Sequence, residues 1–531
     1  MKCPNCGVEL NDGAAFCTSC GSQLSAENKP EAPAEAPNAL DKFLDTLMDK
    51  LTPVAVKIKD FFSVKRNLIA TGGVLAALLL VIIISSAVSS GNTGFTEYGN
   101  YYGISCNDDG NLVILNKGKM IETSIECTAE SVASTVRSHD GSIMAIRVDN
   151  VIYYVKGNTL TKVDEDASSM RLATSGKAIA YISEGSSLYL YTIGGDSVKV
   201  EDDEVVSSYT ISPDGKSLLY SIYDEDKNEY PVYYFNGKES VKIASNGNPC
   251  GVSNGGKYIY YSSVNDKGET YLYFYNKSKE EKTKLETIKS YYFNEDLSQV
   301  VILSEDMKTY ISSKGKDAEK ISSKAIFLIS PKKTITINSI VPVDDFYGKY
   351  FSGDGAVYKI EKDADKTIKL VSNITSCHMS DDFETLYYTN KDYDLFVTKT
   401  SYGEKAKEKA TEIAEEVSDF EVTSDCGLVY YISDDEAFVI KGNGSGEAKR
   451  VSSDDVDSSL VIDGKDNVYF ICDGEFHAVK GKNTSVSIVE DYSYYWNLGG
   501  YLYVLDDDSC YYVKGTKVEK LFDCADFAIK Y

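Results

Sequence analysis

The sequence predicts a mainly all-β protein that also has a small metal-binding module and one membrane-spanning helix. Three observations predict this organisation: two cysteine pairs open the chain, an apolar run of 21 residues occupies positions 68–88, and a Tyr-rich pattern recurs beyond residue 100. The 531 residues exceed one ordinary domain. The 41 Tyr, against 19 Phe and one Trp, favour β-structure, because a tyrosine suits a strand surface that is buried at the ring and wet at the hydroxyl.

Residues 1–24 are predicted to bind a metal ion. They contain two C-x-x-C pairs, Cys3 with Cys6 and Cys17 with Cys20, and each pair can supply two thiolates to one tetrahedral zinc ion. So short a segment cannot bury a core, so metal binding has to supply its folding free energy. Zinc is the predicted ion, and iron held by the same four thiolates is the alternative. A redox motif would need a surrounding α/β domain, for which the segment has no room.

The stretch CPNCGVEL…FCTSCGSQL resembles the short zinc-ribbon module at the N-terminus of many membrane proteins of Gram-positive bacteria. In that family the four cysteines bind zinc, and they correspond to Cys3, Cys6, Cys17 and Cys20 here. The resemblance covers only the first 24 residues. It implies a zinc cofactor and a module that contacts a protein partner, and it implies nothing about the rest of the chain.

Two segments connect this module to the apolar run. Residues 25–38 are rich in Pro, Ala and Glu without apolar periodicity, which predicts a semi-extended linker. Residues 39–66 place apolar side chains at 4-3 spacing, which predicts an amphipathic helix: Leu40, Leu44, Leu47, Leu51, Val54, Ile58 and Phe61. This helix could lie on the membrane surface or form a dimer seam, although Pro53 would kink a long coiled coil.

Residues 67–90 are predicted to form a transmembrane helix. The 21 residues at 68–88 carry no charge, which matches the length that a helix needs to cross the bilayer. About 66 residues precede the run, so an uncleaved signal anchor is predicted rather than a cleaved signal peptide. Basic residues cluster before the run and are absent for many positions after it: Lys57, Lys59, Lys65 and Arg66, then none until Lys117. We therefore expect a cytoplasmic N-terminus and residues 91–531 outside the cell membrane.

Residues 91–531 are predicted to be a repeat domain. Its clearest unit runs through residues 209–244, with a strand, a Ser212-Pro-Asp-Gly-Lys216 turn, a Tyr-rich strand, and two further strands. Degenerate copies of the turn and its second strand give eleven units at a mean spacing of about 39 residues, which is typical of four-stranded propeller blades. Residues 404–417 are rich in Ala, Glu and Lys and are predicted to form an inserted helix.

The SPDGK turn followed by a Tyr-rich strand resembles the blade motif of TolB-type and WD-repeat-like β-propellers. The resemblance implies a propeller fold and no particular function. Because eleven blades exceed the usual four to eight, we expect two rings divided near residue 330, or one ring with several units outside it. Both ends of the domain remain apolar, which predicts closed rings rather than an open solenoid.

No catalytic constellation is visible, and we expect no enzyme. The chain has only three histidines, His139, His378 and His477, and no G-x-S-x-G segment. Acidic clusters such as residues 224–228, 434–436 and 506–508 are interpreted as solvated turns. Eight cysteines follow the apolar run, and they could form disulfides or remain buried thiols: Cys106, Cys127, Cys250, Cys377, Cys426, Cys472, Cys510 and Cys524.

Charge limits the partners that the domain can have. Residues 91–531 contain 47 basic and 72 acidic residues, a net charge of −25, so nucleic acid is not an expected partner. We expect a membrane-anchored sensor or binding protein with protein partners on both sides of the membrane. A cell-envelope scaffold or assembly factor is the alternative, and a glycan-acting propeller enzyme is a third possibility.

Overall fold

A computed structural model describes residues 102–523 except 129–130, 184–185, 202–203, 330–337, 363–366, 453–454, 480–483 and 507. These residues belong to one unit, Thr93–Tyr531. The expected zinc ligands Cys3, Cys6, Cys17 and Cys20, the linker, the amphipathic helix and the apolar run lie outside the described residues. Within the described ranges, no helix has the length and apolarity needed to cross a bilayer.

The described residues form eleven antiparallel sheets, which we number as blades 1–11 in chain order. Blade 1 has three described strands and every other blade has four. The strands of blades 1–6 are β1 (Gly103–Cys106), β2 (Asn111–Asn116), β3 (Lys119–Glu126); β4 (Val132–Arg137), β5 (Ile143–Val148), β6 (Val151–Lys156), β7 (Thr159–Asp164); β8 (Ser169–Leu172), β9 (Ala178–Ile182), β10 (Leu188–Thr192), β11 (Ser197–Glu201); β12 (Val206–Ile211), β13 (Leu218–Ile222), β14 (Val232–Phe235), β15 (Ser240–Ala244); β16 (Asn248–Val252), β17 (Ile259–Val264), β18 (Thr270–Asn276), β19 (Glu281–Thr287); β20 (Ser290–Phe293), β21 (Gln299–Leu303), β22 (Thr309–Ser313) and β23 (Glu319–Ser322).

The strands of blades 7–11 are β24 (Phe327–Leu328), β25 (Tyr350–Gly353), β26 (Ala356–Ile360), β27 (Thr367–Ser372); β28 (Ile374–Met379), β29 (Thr385–Asn390), β30 (Leu395–Lys399), β31 (Thr411–Ala414); β32 (Val417–Val422), β33 (Leu428–Ser433), β34 (Glu436–Lys441), β35 (Lys449–Arg450); β36 (Ser458–Ile462), β37 (Val468–Cys472), β38 (Glu475–Val479), β39 (Ser485–Val489); β40 (Tyr494–Leu498), β41 (Tyr501–Leu505), β42 (Ser509–Lys514) and β43 (Lys517–Asp523). Short 3-10 segments occur at Asn254–Gly256 and Thr400–Lys405. The prediction of eleven units is confirmed. Ten of them have four strands, and blade 1 has three described strands.

The turn between the first two strands of a blade explains the sequence motif that repeats. In blade 4, the Ser212 hydroxyl donates to Asp214 Oδ1 (2.8 Å) and accepts from the Ser217 amide (3.0 Å). Gly215 has φ +74°, and a Cβ there would lie 2.6 Å from Ala178 of blade 3. The same side-chain arrangement recurs in four other blades, at Ser138 with Asp140, Asn294 with Asp296, Ser380 with Asp382, and Thr423 with Asp425. In these five blades the side chain of a Ser, Thr or Asn and the Asp two residues later hold the turn together by hydrogen bonds. We call this pair of residues a turn lock.

The core consists of eleven apolar clusters in the described residues, and each cluster joins two neighbouring blades. Ten clusters join blades that are consecutive in the chain. The eleventh joins blade 11 to blade 1, with Val113 and Leu115 packed against Leu498, Tyr503 and Phe522. At this seam the Gly118 amide donates to the Tyr503 hydroxyl (2.9 Å). The blades therefore form one closed circuit, which confirms ring closure.

This circuit replaces the two-ring arrangement that the sequence led us to expect. The interface between blades 6 and 7 continues across residue 330, because Val301 and Ile311 pack in one cluster with Phe351 and Ile360. A ring that ended near residue 330 would instead bring blade 6 back to blade 1. Local repeat spacing sets the number of blades, whereas the number of rings depends on which distant faces meet.

A long connection between β24 and β25 was not expected from the sequence. Its described part pairs with the open edge of β20, where the Phe293 amide donates to Ser339 O (2.7 Å) and the Val341 amide donates to Phe293 O (2.8 Å). The Asn338 amide group also donates to Leu172 O of blade 3 (3.0 Å). Blades 3 and 6 are not neighbours in the circuit, so this segment braces two separated parts of the ring.

The helix predicted at residues 404–417 is wrong. This stretch contains the end of the 3-10 segment Thr400–Lys405, strand β31 and the start of β32. Its composition favours a helix, but β31 completes blade 8 by pairing with β30, for example Phe396 with Glu412. Completion of the blade therefore overrides local propensity.

One disulfide is present among the described residues. Cys106 and Cys127 are bonded, with their Cα atoms 6.1 Å apart, and they join the end of β1 to the chain just after β3. Cys250 is a buried free thiol, and Cys377 and Cys426 are half-buried free thiols. Both outcomes that the sequence left open, disulfide and buried thiol, therefore occur in the propeller.

Candidate ligand-binding pocket

An aromatic pocket lies between the first strands of blades 10 and 11. It is a cavity of about 490 Å³, lined by Ser459 and Ile471 of blade 10 and by Tyr492 and the residues of β40 in blade 11. The pocket lies at the first strands of these two blades, β36 and β40, whereas their last strands, β39 and β43, contact one another.

Strand alternation explains why β40 exposes one ring and buries another. Tyr494 and Trp496 share one side of the strand, and Trp496 packs against the seam cluster with blade 1. Tyr495 points to the other side and packs with Tyr492 against the cluster shared with blade 10. Tyr494 remains 56% exposed although it is a large aromatic residue. An exposed aromatic tip on a buried aromatic base is typical of a binding surface.

The rings of the pocket are in mutual contact. The Tyr494 and Trp496 centroids are 4.8 Å apart at an interplanar angle of 50°. Tyr494 and Tyr495 lie 6.3 Å apart, as do Tyr492 and Tyr495. Below them, Phe476 contacts both Tyr492 (5.5 Å) and Tyr495 (5.9 Å). The buried rings hold the exposed ones in place, so the pocket is preformed.

The polar groups around the pocket are held by the backbone. The Asn497 side chain donates to Ile462 O (2.7 Å) and accepts from the Gly500 amide (2.9 Å). The Asp419 carboxylate accepts from the amides of Leu460 (2.8 Å) and Phe420 (2.9 Å). None of the described residues that line the cavity is basic. The Asp419 carboxylate places a negative charge near Tyr495.

The electrostatic environment keeps the tyrosines neutral. Burial raises the pKa of Tyr492 to about 12, and the nearby Tyr495 and Tyr494 add to the effect. Burial also raises the pKa of Tyr495, and the negative charge of Asp419 raises it further. At neutral pH these side chains present aromatic faces and hydroxyl groups.

A second, more polar cavity of about 610 Å³ lies between blades 8 and 9. Its charged residues already have partners: Lys399 donates to the Thr385 hydroxyl (2.8 Å), and the Lys409 ammonium lies 4.5 Å from the centroid of the Tyr402 ring. Asp382 and Asp425 are the turn-locking acids of their blades. We therefore consider the aromatic pocket the stronger candidate.

The structure does not bring the three histidines together. His139 lies in the turn between β4 and β5, His378 in β28 and His477 in β38, on three different blades. Burial lowers the pKa of His139. No cluster of three or more His, Cys, Asp or Glu suited to a metal ion occurs among the described residues. In the acidic loop at residues 224–228, Asp224 is paired with the Lys227 ammonium at 2.6 Å, as in a solvated turn.

Sequence reasoning missed the aromatic pocket. The only available signal was the segment YSYYW at residues 492–496, which contains the single Trp of the chain. Many other strands are equally rich in tyrosine, and their rings are buried between blades. Exposure of Tyr494 could not be read from the sequence, because it depends on the neighbouring blade.

Comparisons with known proteins identify one domain by sequence. Residues 2–24 match the zinc-ribbon domain family, which supports zinc as the bound metal. The assignment of the four cysteines as its ligands stays a prediction. No curated protein shows significant sequence similarity to the chain. The identification thus rests on the cysteine-containing segment.

Several solved structures are similar to the propeller. The tricorn protease aligns over 80% of this chain and 58% of its own, at 11% identity and a TM-score of 0.27. A eukaryotic initiation factor aligns over 66% and 96%, at 10% identity and a TM-score of 0.37. TolB from Acinetobacter baumannii aligns over 44% and 66%, at 14% identity and a TM-score of 0.27. These similarities carry no information about what the chain binds. The chain combines an N-terminal zinc-ribbon domain with an eleven-bladed, all-β propeller.

Proposed function

We propose that this chain is a non-catalytic, membrane-anchored binding protein of a Gram-positive bacterium. Its propeller binds a ligand outside the cell, at the aromatic pocket, and its zinc ribbon contacts a cytoplasmic protein. The observation that carries this proposal is the aromatic pocket between blades 10 and 11, with its exposed Tyr494. The volume of this cavity lies within the range of small-molecule binding sites.

Two observations support an extracellular propeller. The Cys106–Cys127 disulfide is typical of proteins outside the cytoplasm. The uncharged run at residues 68–88, with basic residues before it, favours a signal anchor with a cytoplasmic N-terminus. Protease added to intact cells should remove the propeller and spare an N-terminal tag. Digestion of that tag would contradict the proposed orientation.

The zinc ribbon supports a protein partner on the cytoplasmic side. Four thiolates that fold around one ion form a small, rigid module suited to protein contact. In the full-length protein we expect one zinc ion, and Cys3→Ser should lower its affinity. Retention of full metal affinity in that variant would contradict the four-thiolate site. We propose that residues 39–66 form an amphipathic helix that either lies on the membrane surface or pairs in a dimer.

The binding role is tested with the full-length protein in an uncharged detergent. Trp496 is the only Trp of the chain and lines the pocket, so its emission reports ligand entry. Choline, N-acetylglucosamine and a lysine-rich peptide are titrated separately. We expect a saturable emission change with at least one of them and recovery of that compound unaltered. No change with any probe, or conversion of a bound probe to a product, would contradict the proposal.

A further inference from the structure

We infer that one end of blades 4 and 5 docks a positively charged segment of another protein. The expected partner segment is rich in Lys or Arg and also presents an aromatic or other apolar side chain. The surface is separate from the pocket between blades 10 and 11, so this inference stands independently of the ligand proposed there. We call it the acidic end, and it consists of the described connections at that end together with the last residue of β17: residues 204–205, 223–231, 245–247 and 264–269.

The connections of blades 4 and 5 lie at two opposite ends of their strands. In a four-stranded antiparallel blade, the first-to-second and third-to-fourth connections lie at one end, and the second-to-third connection lies at the other. The first-to-second connections of the two blades touch, because the Asp214 amide donates to Asn254 Oδ1 (2.9 Å). The second-to-third connections, residues 223–231 and 265–269, therefore lie together at the opposite end.

The acidic end is continuous across the two blades. The Tyr223 amide donates to Val205 O (3.0 Å), which joins the second-to-third connection of blade 4 to the chain that enters this blade. The Gly247 amide donates to Tyr230 O (2.9 Å), and a Cβ at Gly247 would lie 2.7 Å from Ser262 O of blade 5. The chain between the blades therefore fills the space between Tyr230 and β17.

Exposed apolar side chains are the first observation that points to a protein partner. Val205 is 54% exposed, Tyr230 is 40% exposed and Val264 is 59% exposed. The Tyr230 ring also packs beside the Tyr223 ring, with their centroids 5.2 Å apart. Apolar groups that are exposed together mark contact surfaces, and tyrosine is enriched in protein interfaces.

Charge is the second observation, and it is independent of the first. The acidic end contains seven Asp or Glu and two Lys, a net charge of −5. The connections at the opposite end of the same blades contain three Asp or Glu and five Lys, a net charge of +2: residues 212–217, 236–239, 253–258 and 277–280. A negative surface attracts a basic segment and repels nucleic acid and anionic lipid.

Several carboxylates of the acidic end are available to a partner. Asp224 already pairs with the Lys227 ammonium at 2.6 Å. Glu225, Asp226 and Asp266 are exposed, and none of their side chains has a hydrogen bond or an ion pair with any described residue. These three carboxylates can therefore pair with a basic segment at the rim of the apolar side chains.

The connection that carries Tyr230 is preformed. Asp224 and Glu229 exchange backbone hydrogen bonds of 3.0 and 3.3 Å. The Tyr230 amide donates to Asn246 Oδ1 (3.0 Å), which ties this connection to the chain that enters blade 5. A partner therefore meets a surface that is already ordered, which lowers the entropic cost of binding.

The experiment measures binding of a labelled peptide to the full-length protein by fluorescence anisotropy, in an uncharged detergent. The probe contains Lys, Gly and Tyr, and two matched peptides carry Gly in place of Tyr or Glu in place of Lys. We expect saturable binding of the probe, binding about fivefold weaker without Tyr, and no binding with Glu. Added salt should weaken binding of the probe, because it screens the charges. No binding of the probe, or equal binding without Tyr, would overturn the inference.

Charge variants locate the surface. The triple variant Glu225→Gln/Asp226→Asn/Asp266→Asn should weaken binding of the probe about tenfold, because it removes three sites for ion pairs. Any acidic protein attracts a cationic peptide, so a second triple variant removes the same net charge at exposed positions between β33 and β36. It should weaken binding by less than about twofold: Asp434→Asn/Asp435→Asn/Asp455→Asn. Equal losses in the two triple variants would refute docking at blades 4 and 5.

Tyr230→Ala tests the apolar contribution. It should weaken binding of the Tyr-containing probe about fivefold and leave binding of the Gly-containing peptide unchanged, because only the probe has a ring to contact Tyr230. Unchanged binding of the Gly-containing peptide also shows that the acidic end is intact. Tyr393→Ala is the matched control, since Tyr393 is an exposed tyrosine of blade 8. An equal loss in the two alanine variants would contradict the role of Tyr230.

Other occupants of the acidic end are outcomes of the same measurements. If Ca²⁺ displaces the probe while Na⁺ at the same ionic strength does not, the surface is a metal site and the inference is wrong. If the protein self-associates and the Glu225→Gln/Asp226→Asn/Asp266→Asn variant does not, the occupant is a second copy of this chain. Trp496 emission reports the aromatic pocket separately, so failure of the probe to bind leaves the proposed function standing.

Discussion

Two tyrosines on first strands of different blades have opposite surroundings. Tyr209 on β12 of blade 4 is 5% exposed, its hydroxyl is 2.9 Å from the Ser169 hydroxyl, and the Arg171 guanidinium lies 5.7 Å from its centroid. Tyr494 on β40 of blade 11 is 56% exposed. Blade 3 therefore occupies both the ring face and the hydroxyl of Tyr209. The same residue type joins two blades in one place and is exposed to solvent in the other.

The largest expected effect follows from removing the buried ring. Tyr209→Ala should lower the free energy of unfolding by about 3–5 kcal/mol, because it deletes a large core side chain and leaves a cavity between blades 3 and 4. Chemical denaturation of the full-length protein measures this change. If Tyr209→Ala costs no more than Tyr494→Ala, the contrast between the two positions is wrong.

The next effect tests the seam that holds blade 11 against blade 1. At Gly118, φ is +72° and a Cβ would lie 2.5 Å from Tyr512 of blade 11. We expect Gly118→Val to lower the free energy of unfolding by about 1–3 kcal/mol, from backbone strain and this clash. Hydrogen exchange should also show lost protection in β41 and β42, far away in the chain.

Gly157→Val is the control for the seam prediction. Gly157 has a similar φ of +60°, but nothing lies within 4 Å of a Cβ there. Its substitution reports backbone strain alone and should leave blade 11 protected. If both variants affect β41 and β42 equally, the Gly118 effect does not come from the seam.

A smaller effect on stability is expected from protonating the Asp residues of the turn locks. Blade 11 has no such Asp between β40 and β41. Hydrogen bonds from Ser380 and the Glu384 amide hold the pKa of Asp382 below its ordinary value of 3.8. A carboxyl with a lower pKa in the folded state stabilises the fold above its unfolded pKa, and this contribution is lost as pH falls through the folded pKa. The protein should therefore lose stability below about pH 4.

Asp382→Asn should reduce the free energy of unfolding that is lost on acidification by less than about 1 kcal/mol, because the carboxyl group is largely exposed and screened by solvent. Unfolding midpoints measured between neutral pH and pH 3 provide the test. Asp226→Asn, in an exposed loop outside the turn locks, removes the same charge and is the charge-matched control. Identical profiles for the two variants would argue against the turn lock.

The smallest effect on stability is expected at the pocket. Tyr494→Ala should change the free energy of unfolding by less than about 0.5 kcal/mol, as for most exposed positions. A large loss of stability would show that Tyr494 supports the seam as well as the pocket. Denaturation of this variant beside Tyr209→Ala completes the comparison.

Much of the propeller was predictable from local patterns. The turn that begins at Ser212 recurs with recognisable variations at Ser138, Asn294, Ser380 and Thr423, and each copy does begin the second strand of a blade. Such turns act over about five residues, so their sequence signal is short-range. The helix predicted at residues 404–417 failed for the opposite reason, because the pairing of β31 depends on β30.

The candidate site was less predictable than the fold. YSYYW at residues 492–496 has the alternation of an ordinary buried strand, and nothing local distinguishes Tyr494 from the buried Tyr209. The absence of any basic residue among the described pocket lining depends on how Ser459 and Ile471 approach from blade 10. The zinc cysteines are the reverse case, since the two members of each pair are only three residues apart in the sequence, and this spacing alone predicts metal binding.

The sequence by itself determined the repeating blade, the number of blades, the zinc-ribbon domain and the acidic charge of the propeller. These properties follow from residues that are close in the chain or from composition alone. Only the tertiary structure decided that the eleven blades close in one circuit, that the segment at Asn338 braces blade 3, and that Tyr494 is exposed. Each of these depends on contacts between distant residues, such as Gly118 with Tyr503. A strand pattern specifies which face is apolar, but it does not specify which partner will cover that face.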